Sequence, residues 1–271
     1  KLDLTLKYDL LICAGSRTYY AAKILCEELD IPSIAIMNPG IFSKGFSVII
    51  MPEYENKEPA HSKVIKVPFS ISVPDEKHIN QSINELHSRV QSNYQKSWGI
   101  IIGGNNKTSH LPKVLLQKNL EAIIKLKPYD TALFVTSSRR SGKGIEDLLQ
   151  KYQDHFGMVV YSSRDSYNPI PAFTQVCERI FVTSDSSNMI SEIVTSGNAF
   201  VEILMNRQKF EPNKFLRFIS SLCEKEAAHV FVESLGFANK KLDTHDLVEE
   251  LKDALGALDQ IKNNNTVSDE G

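Results

Sequence analysis

The sequence predicts an α/β protein made of two Rossmann-like domains, and three observations carry that prediction. Short runs rich in β-branched residues alternate with longer helical stretches along most of the chain. Several of these runs, such as residues 99–102 and 132–136, are continuously apolar, as strands covered on both faces of a parallel sheet are. A polar stretch ending in NYQKSWG then interrupts the series near residues 93–98, and a new strand–helix series starts with GIII. Alternation of this kind implies right-handed βαβ crossovers and doubly wound sheets. The expected organisation is an N-terminal Rossmann-like domain over 1–96 and a C-terminal one over 97–262, facing across a cleft. The polar tail 263–271 is expected to be disordered.

In chain order, strands are expected at 9–13, 33–37, 47–51, 63–67, 99–102, 132–136, 158–161, 180–183 and 199–203, each an apolar or β-branched run. Helices are expected between them at 18–29, 77–95, 112–126, 145–155, 169–179, 186–196 and 212–225. Between Pro52 and Pro74 the chain holds four prolines and little periodicity, so it reads as strand ends and loops. No repeat of fixed period occurs beyond the recurrence of βα units.

Composition excludes several function classes. At 271 residues with 42% hydrophobic and 24% charged residues, the chain can bury a substantial core. A formal charge of −2 gives no global electrostatic reason to bind nucleic acid. No apolar run approaches the length of a membrane-spanning helix. The four cysteines lack ligand-like spacing and read as buried free thiols, and the seven histidines are dispersed with no HExxH pattern. No metal site is expected. The first residues, KLDLTLKYDLL, lack the apolar core of a signal peptide and begin with Lys, which suggests a fragment or a processed form.

Ligands of open α/β sheets bind beyond the carboxyl ends of the strands. Four loops following predicted strands there carry the same chemistry. These are Gly103-Gly104-Asn105-Asn106-Lys107, Ser137-Ser138-Arg139-Arg140, the loop from Ser162 to Asn168, and Ser184-Asp185-Ser186-Ser187. Free backbone N–H groups, hydroxyls and cations of this sort suit a phosphate. Each loop alone is as readily explained as a turn or an N-cap; their coincidence at one sheet edge points to a ligand. SSRRSGKG is no P-loop, since Ser137 and Gly144 stand where Gly and Ser or Thr are needed, and GGNNK is no dinucleotide fingerprint.

The stretch FVTSDSSNMISEIVTSGNAFVEI has the most detail. Met189, Ile190, Ile193 and Val194 form an apolar helix stripe, and Gly197 falls where a left-handed residue ends a helix. The helix then opens near Ser186, with Ser187 and Asn188 in its first turn, where unpaired N–H groups favour an anion. Asp185 opposes a phosphate by charge and is expected to cap the helix. Glu192 is either a surface carboxylate or an acceptor for the hydroxyls of a ribose.

At these residues the chain resembles the mitochondrial-fission "elongated mitochondria" family and its bacterial relatives. The stretches that carry the resemblance are YDLLICAGSR, IAIMNPG, FSVIIMPEYE, GIIIGGNNK, LFVTSSRRSG, NPIPAFTQVCERIFVTSDSSNMISEIVTSGNAFVEI and KFLRFISSL, in family order over about residues 8–230. Those proteins resemble GT-B glycosyltransferases, with a nucleotide-sugar site mainly in the second domain. The last long stretch is also similar to the donor-site turn of the peptidoglycan N-acetylglucosaminyl transferase. The resemblance implies that Ser184, Ser186, Ser187, Asn188 and Met189 meet a diphosphate and Glu192 a ribose. Gly103–Lys107, Ser137–Arg140 and Asn168 would line the same cleft, with Arg17, Asn38 and Glu53 on the acceptor side. The chain departs from the family in having no Gly-rich segment before YDLLI, so its N-terminal domain is read as incomplete. It also departs in Asn38 for Asp and in Asn198-Ala199 for Lys-Pro.

The readings left open are a glycosyltransferase using a nucleotide-diphosphate sugar and no metal or other cofactor, a non-catalytic interaction protein of the same fold, and a sugar-nucleotide epimerase. The expected partners of the first are the nucleotide sugar and an envelope glycan or lipid-linked acceptor. A cytoplasmic location is expected, with peripheral association at the inner membrane, or at the mitochondrial surface in a eukaryote.

Overall fold

In a computed structural model the described residues are 7–55, 59, 63–71, 75–90, 94–210, 214–243, 247–254 and 256. The chain divides into two compact units, one of residues 1–70 with 243–271 and one of residues 71–242. The expected tail at 263–271 lies outside the described residues.

The first unit is a four-stranded parallel sheet in the order β1-β2-β3-β4, formed by β1 (Leu11–Ala14), β2 (Ser33–Ile36), β3 (Val48–Pro52) and β4 (Lys63–Val67). Helix α1 (Tyr19–Leu29) joins β1 to β2 and buries Tyr19, Ala22 and Cys26. A 3-10 segment at Gly40–Gly45 leads into β3. The core is small: Tyr19 and Phe46 meet edge to face, ring centroids 5.9 Å apart, over Ala35, Ile49 and Met51.

The second unit opens with α2 (Glu76–Arg89) and continues β5 (Lys96–Ile102), β6 (Ser109–His110), α3 (Lys113–Leu126), β7 (Thr131–Ser137), α4 (Lys143–Lys151), β8 (Met158–Val160), α5 (Ile170–Val176), β9 (Arg179–Thr183), α6 (Ser187–Thr195), β10 (Phe200–Leu204), β11 (Arg207–Gln208), α7 (Lys214–Glu224) and β12 (His229–Val230). Its six-stranded sheet runs β12-β10-β9-β5-β7-β8, all parallel. The chain starts at the central β5, winds outward through β7 and β8, and returns to lay β9, β10 and β12 on the other side. The reversal falls between β5 and β9, the switch point at which such sheets bind ligands. Trp98, Ile100, Leu116, Leu120, Leu133 and Val135 belong to the buried core on these strands and helices.

All nine expected strands and all seven expected helices are present, with shifted ends. The helix expected at 77–95 stops at Arg89, because Val90 turns extended (φ −86°, ψ 114°) and β5 starts at Lys96. The units divide at 70/71, whereas the sequence suggested 96; α2 packs on α5 and so belongs with the second sheet. Three two-residue strands, β6, β11 and β12, were too short to leave a periodic signal. At the foot of the sheet, Arg179 is buried between the rings of Phe200 and Trp98 (4.9 and 5.7 Å from their centroids). It pairs with buried Glu202, which also meets His229 Nδ1 at 2.7 Å. Cys13, Cys26 and Cys177 are buried and Cys223 is partly so; all four are free. Among the described residues no helix is long and apolar enough to cross a membrane, and no cluster of three metal-ligating side chains occurs.

Candidate functional site

The carboxyl edge of the second sheet holds a cavity of about 540 Å³. The ends of β5 and β7 supply Ile101, Thr136 and Ser137; the loop after β7 supplies Ser138 and Arg139. The loop between β8 and α5 contributes Ser162 and residues 165–170, and α6 contributes Met189. Of the residues expected at the site, the structure thus brings Ser137, Ser138, Arg139, Asn168 and Met189 to one cavity. A neighbouring cavity of about 390 Å³ shares Ser138, Arg139 and Ser162 and reaches the start of α4.

Met189 points into the larger cavity instead of joining the helix stripe, and the buried face of α6 is Ile190, Ser191, Ile193 and Val194. The first turn of α6 therefore borders the cavity. Ser186 stands at the N-cap but makes no side-chain cap, and the first intrahelical bond runs from Ile190 N–H to the Ser186 carbonyl (3.1 Å). The N–H groups of Ser187, Asn188 and Met189 have no acceptor among the described residues, which leaves the positive end of the helix open. Gly197 ends the helix as expected, at φ 65°; a Cβ there would lie 1.6 Å from the Thr174 carbonyl oxygen.

Asp185 does not cap α6. Its buried carboxylate turns inward to β5, accepting from Gly104 N–H (3.1 Å) and the Thr183 hydroxyl (2.7 Å) and pairing with Arg140 at 2.8 Å. Gly103 and Gly104 make room for this. A Cβ at Gly103 would sit 2.1 Å from an Asp185 oxygen, and one at Gly104 2.0 Å from the Arg140 carbonyl oxygen. Gly103 N–H donates to Thr183 Oγ1 (2.7 Å), so both glycine N–H groups are committed within the protein. The asparagines that follow organise their own loop. Asn105 accepts from Leu111 N–H (2.9 Å), and Asn106 accepts from Thr108 and Ser109 N–H (2.8 and 2.7 Å) while donating to the Asp185 carbonyl (2.9 Å). Lys107 is exposed.

Ser184 is buried and accepts from Asn206 N–H (2.8 Å), so it braces the elbow from below. Ser137 donates to buried Glu146 (2.8 Å) and accepts from Ser162 N–H (2.9 Å), tying β7 to the loop after β8. Burial works to raise the Glu146 carboxyl, but the Ser163 and Ser137 hydroxyls outweigh it and hold the group below its usual range. Glu192 is the opposite case. Burial raises its pKa, His78 on α2 offsets this in part, and no described group donates a hydrogen bond to its carboxylate. An acceptor pair in that state is suited to a ligand that brings two donors.

Arg17, Asn38 and Glu53 lie just past β1, β2 and β3, at the carboxyl edge of the first sheet. Arg17 and Glu53 are exposed, and Asn38 Oδ1 accepts from Gly40 N–H at 2.8 Å. Sequence reasoning missed Glu146, the inward turn of Asp185, and the part of α2. A carboxylate's burial and the partner across a sheet leave no local pattern in the chain.

Among solved structures, the chain is similar to the UDP-GlcNAc 2-epimerase from Methanocaldococcus jannaschii, with 13% identity and a TM-score of 0.53 over 85% of this chain and 68% of that one. It is similar also to a Listeria monocytogenes protein assigned as a UDP-N-acetylglucosamine 2-epimerase, with 13% identity and a TM-score of 0.52 over 92% and 66% of the two chains. This chain thus spans about two thirds of the length of those proteins, and at such low identity the likeness shows the fold, a GT-B-like pair of Rossmann-type units. No curated protein sequence matches it. The family model for mitochondrial fission ELM1 matches residues 6–255, nearly the whole chain, and the protein belongs to that family.

Proposed function

We propose that the second unit binds a nucleoside-diphosphate sugar and that the protein is a metal-independent glycosyltransferase acting on an envelope glycan or lipid-linked acceptor. The observation that carries this reading is the cavity of about 540 Å³ bordered by the uncapped first turn of α6. The N–H groups of Ser187, Asn188 and Met189 and the guanidinium of Arg139 receive the diphosphate. The ribose hydroxyls donate to Glu192, and the base lies against Met189, Pro169 and Ile170. In transfer the bond between the sugar and the diphosphate breaks, and the fixed dipoles and Arg139 stabilise the charge that develops on the leaving phosphate. Arg140 acts from behind, held by Asp185. The first unit, with Arg17, Asn38 and Glu53 at its sheet edge, takes the acceptor, and the protein works in the cytoplasm against a membrane surface. The UDP-sugar enzymes among the structural neighbours support the nucleotide part of this reading.

Calorimetry with UDP, GDP, CMP and their sugars tests it; no heat of binding at millimolar concentration for any of them would sink it. Those neighbours also favour a second reading, a sugar-nucleotide epimerase. Inversion of the sugar in the absence of any acceptor would select it. The family's name favours a third, non-catalytic role, which full biological activity of an Arg139→Ala, Arg140→Ala double variant would support.

A further inference from the structure

Helix α2 frames the cavity from outside, and its attachment is unusual. Of its fourteen residues only Ser82 and Leu86 are buried, so apolar packing holds it weakly. A polar seam does the holding instead. His78, Ser82, Glu85 and Arg89 recur at intervals of four, three and four residues and share one helix face. Arg89 grips both oxygens of Asp165, Nη2 to Oδ1 at 3.3 Å with Nη1 on Oδ2, and its guanidinium lies 4.6 Å from the centroid of the Tyr167 ring. Glu85 steadies the same guanidinium from Nε at 3.1 Å. Ser82 donates to the Asn168 carbonyl (3.0 Å), and its own carbonyl accepts from the Tyr167 hydroxyl (2.7 Å). At the other end of the seam His78 interacts electrostatically with Glu192 on α6.

Asp165, Tyr167 and Asn168 line the cavity, so the seam reaches the loop that walls it and, through His78, the carboxylate on the neighbouring helix. We infer that α2 is a buttress of the pocket: Arg89 and Ser82 are positioning residues that hold the 165–168 loop in place as its wall. Release of the seam opens the pocket. That the occupant is a nucleotide rests on the function proposed above; that α2 holds the wall does not. Helix α2 is the first element of the second unit in chain order.

The test is hydrogen exchange on the full chain without ligand, joined to calorimetry with UDP, for the wild type, Arg89→Ala, Arg89→Lys and Ser82→Ala. Arg89→Ala raises exchange of the 165–170 amides by about tenfold and leaves β5, β7 and β9 unchanged. Arg89→Lys restores only part of the protection, because an ammonium has neither the two-pronged grip nor the flat face for Tyr167. UDP affinity falls by about tenfold in Arg89→Ala. Unchanged exchange in the loop overturns the buttress, and faster exchange with unchanged UDP affinity overturns its role in positioning the pocket. If Arg89→Ala unfolds the strands as well, Ser82→Ala, which deletes one hydroxyl, decides by the same two readouts. A wild type that binds no UDP removes the nucleotide, while the exchange result still decides the buttress.

Discussion

The two units are built from the same strand–helix units, yet they finish their sheet edges differently. At the carboxyl edge of the first sheet the loops satisfy themselves. Gly15 N–H donates to the Tyr19 hydroxyl (3.2 Å), that hydroxyl donates to the Ile36 carbonyl (2.8 Å), and Asn38 accepts from Gly40 N–H. In the second sheet the loops after β5 and β7 are equally self-sufficient, closed by the buried carboxylates Asp185 and Glu146. Beside them, however, the first turn of α6 keeps open N–H groups where Met189 lines the cavity, and the Glu192 carboxylate has no hydrogen-bond donor among the described residues. Polar loops at a sheet edge are therefore not evidence of a site by themselves. A site is where donors and acceptors stay unsatisfied beside a cavity, since burying them unpaired inside the protein would cost more than they contribute.

The largest effect that sharpens this contrast comes from its glycines. Gly104→Ala forces a Cβ onto the Arg140 backbone and is expected to destabilise the second unit by about 3 kcal/mol or more. Gly15→Ala meets no atom and bears only the strain of a positive φ, 89°, at about 1 kcal/mol. Trp98, the single tryptophan, sits in the second unit and reports on it in urea titrations by fluorescence. Gly15→Ala, in the other unit, should leave that transition in place, and a shift produced by it would mean that the units unfold as one.

Asp185→Asn comes next. It removes the charge that holds Arg140 and weakens the bonds from Gly104 and Thr183. Because Arg140 is 43% exposed, the ion-pair part is screened, and a loss of about 2 kcal/mol is expected in the same titration. Ligand binding separates the units by function. Arg139→Ala should weaken UDP by about tenfold, as expected for one lost charged contact, whereas Arg17→Ala should leave it unchanged; equal losses would break the comparison. The smallest effect is one of pH. The Glu146 pKa is lowered in the folded protein, so its contribution is complete above the ordinary glutamate value and is lost as the pH falls through the folded one. The Trp98 transition should thus weaken in acid more steeply for the wild type than for Glu146→Gln. Parallel acid profiles would remove Glu146 as the source.

Much of this was legible in the chain. GIII, ALFVT and IFVT announce buried parallel strands by being apolar without alternation, and Gly197 marks the end of α6 by needing a conformation that other residues resist. The polar loops were equally visible, and Ser138, Arg139, Asn168 and Met189 do meet at one cavity. Their division of labour was not visible. Asp185 reads as a helix cap, because Asp before a helix usually is one; the missing Cβ of Gly103, just past β5, leaves the space into which it turns. Met189 reads as core because its spacing fits the stripe, yet it sits in the first turn, where the helix has risen past the sheet.

The sequence by itself determined the α/β class, the order of strands and helices, and the sheet edge that carries the polar loops, because hydrophobic periodicity and turn chemistry are local properties of the chain. Only the tertiary structure decided which polar groups are spent on the fold and which are left without a partner among the described residues. It also decided that α2, whose seam of His78, Ser82, Glu85 and Arg89 looks like an ordinary solvated face, grips the loop after β8. Both outcomes depend on pairings between residues some eighty positions apart, such as Gly104 with Asp185 and Arg89 with Asp165, and whether a buried polar group is satisfied is settled by the partner that the fold brings to it.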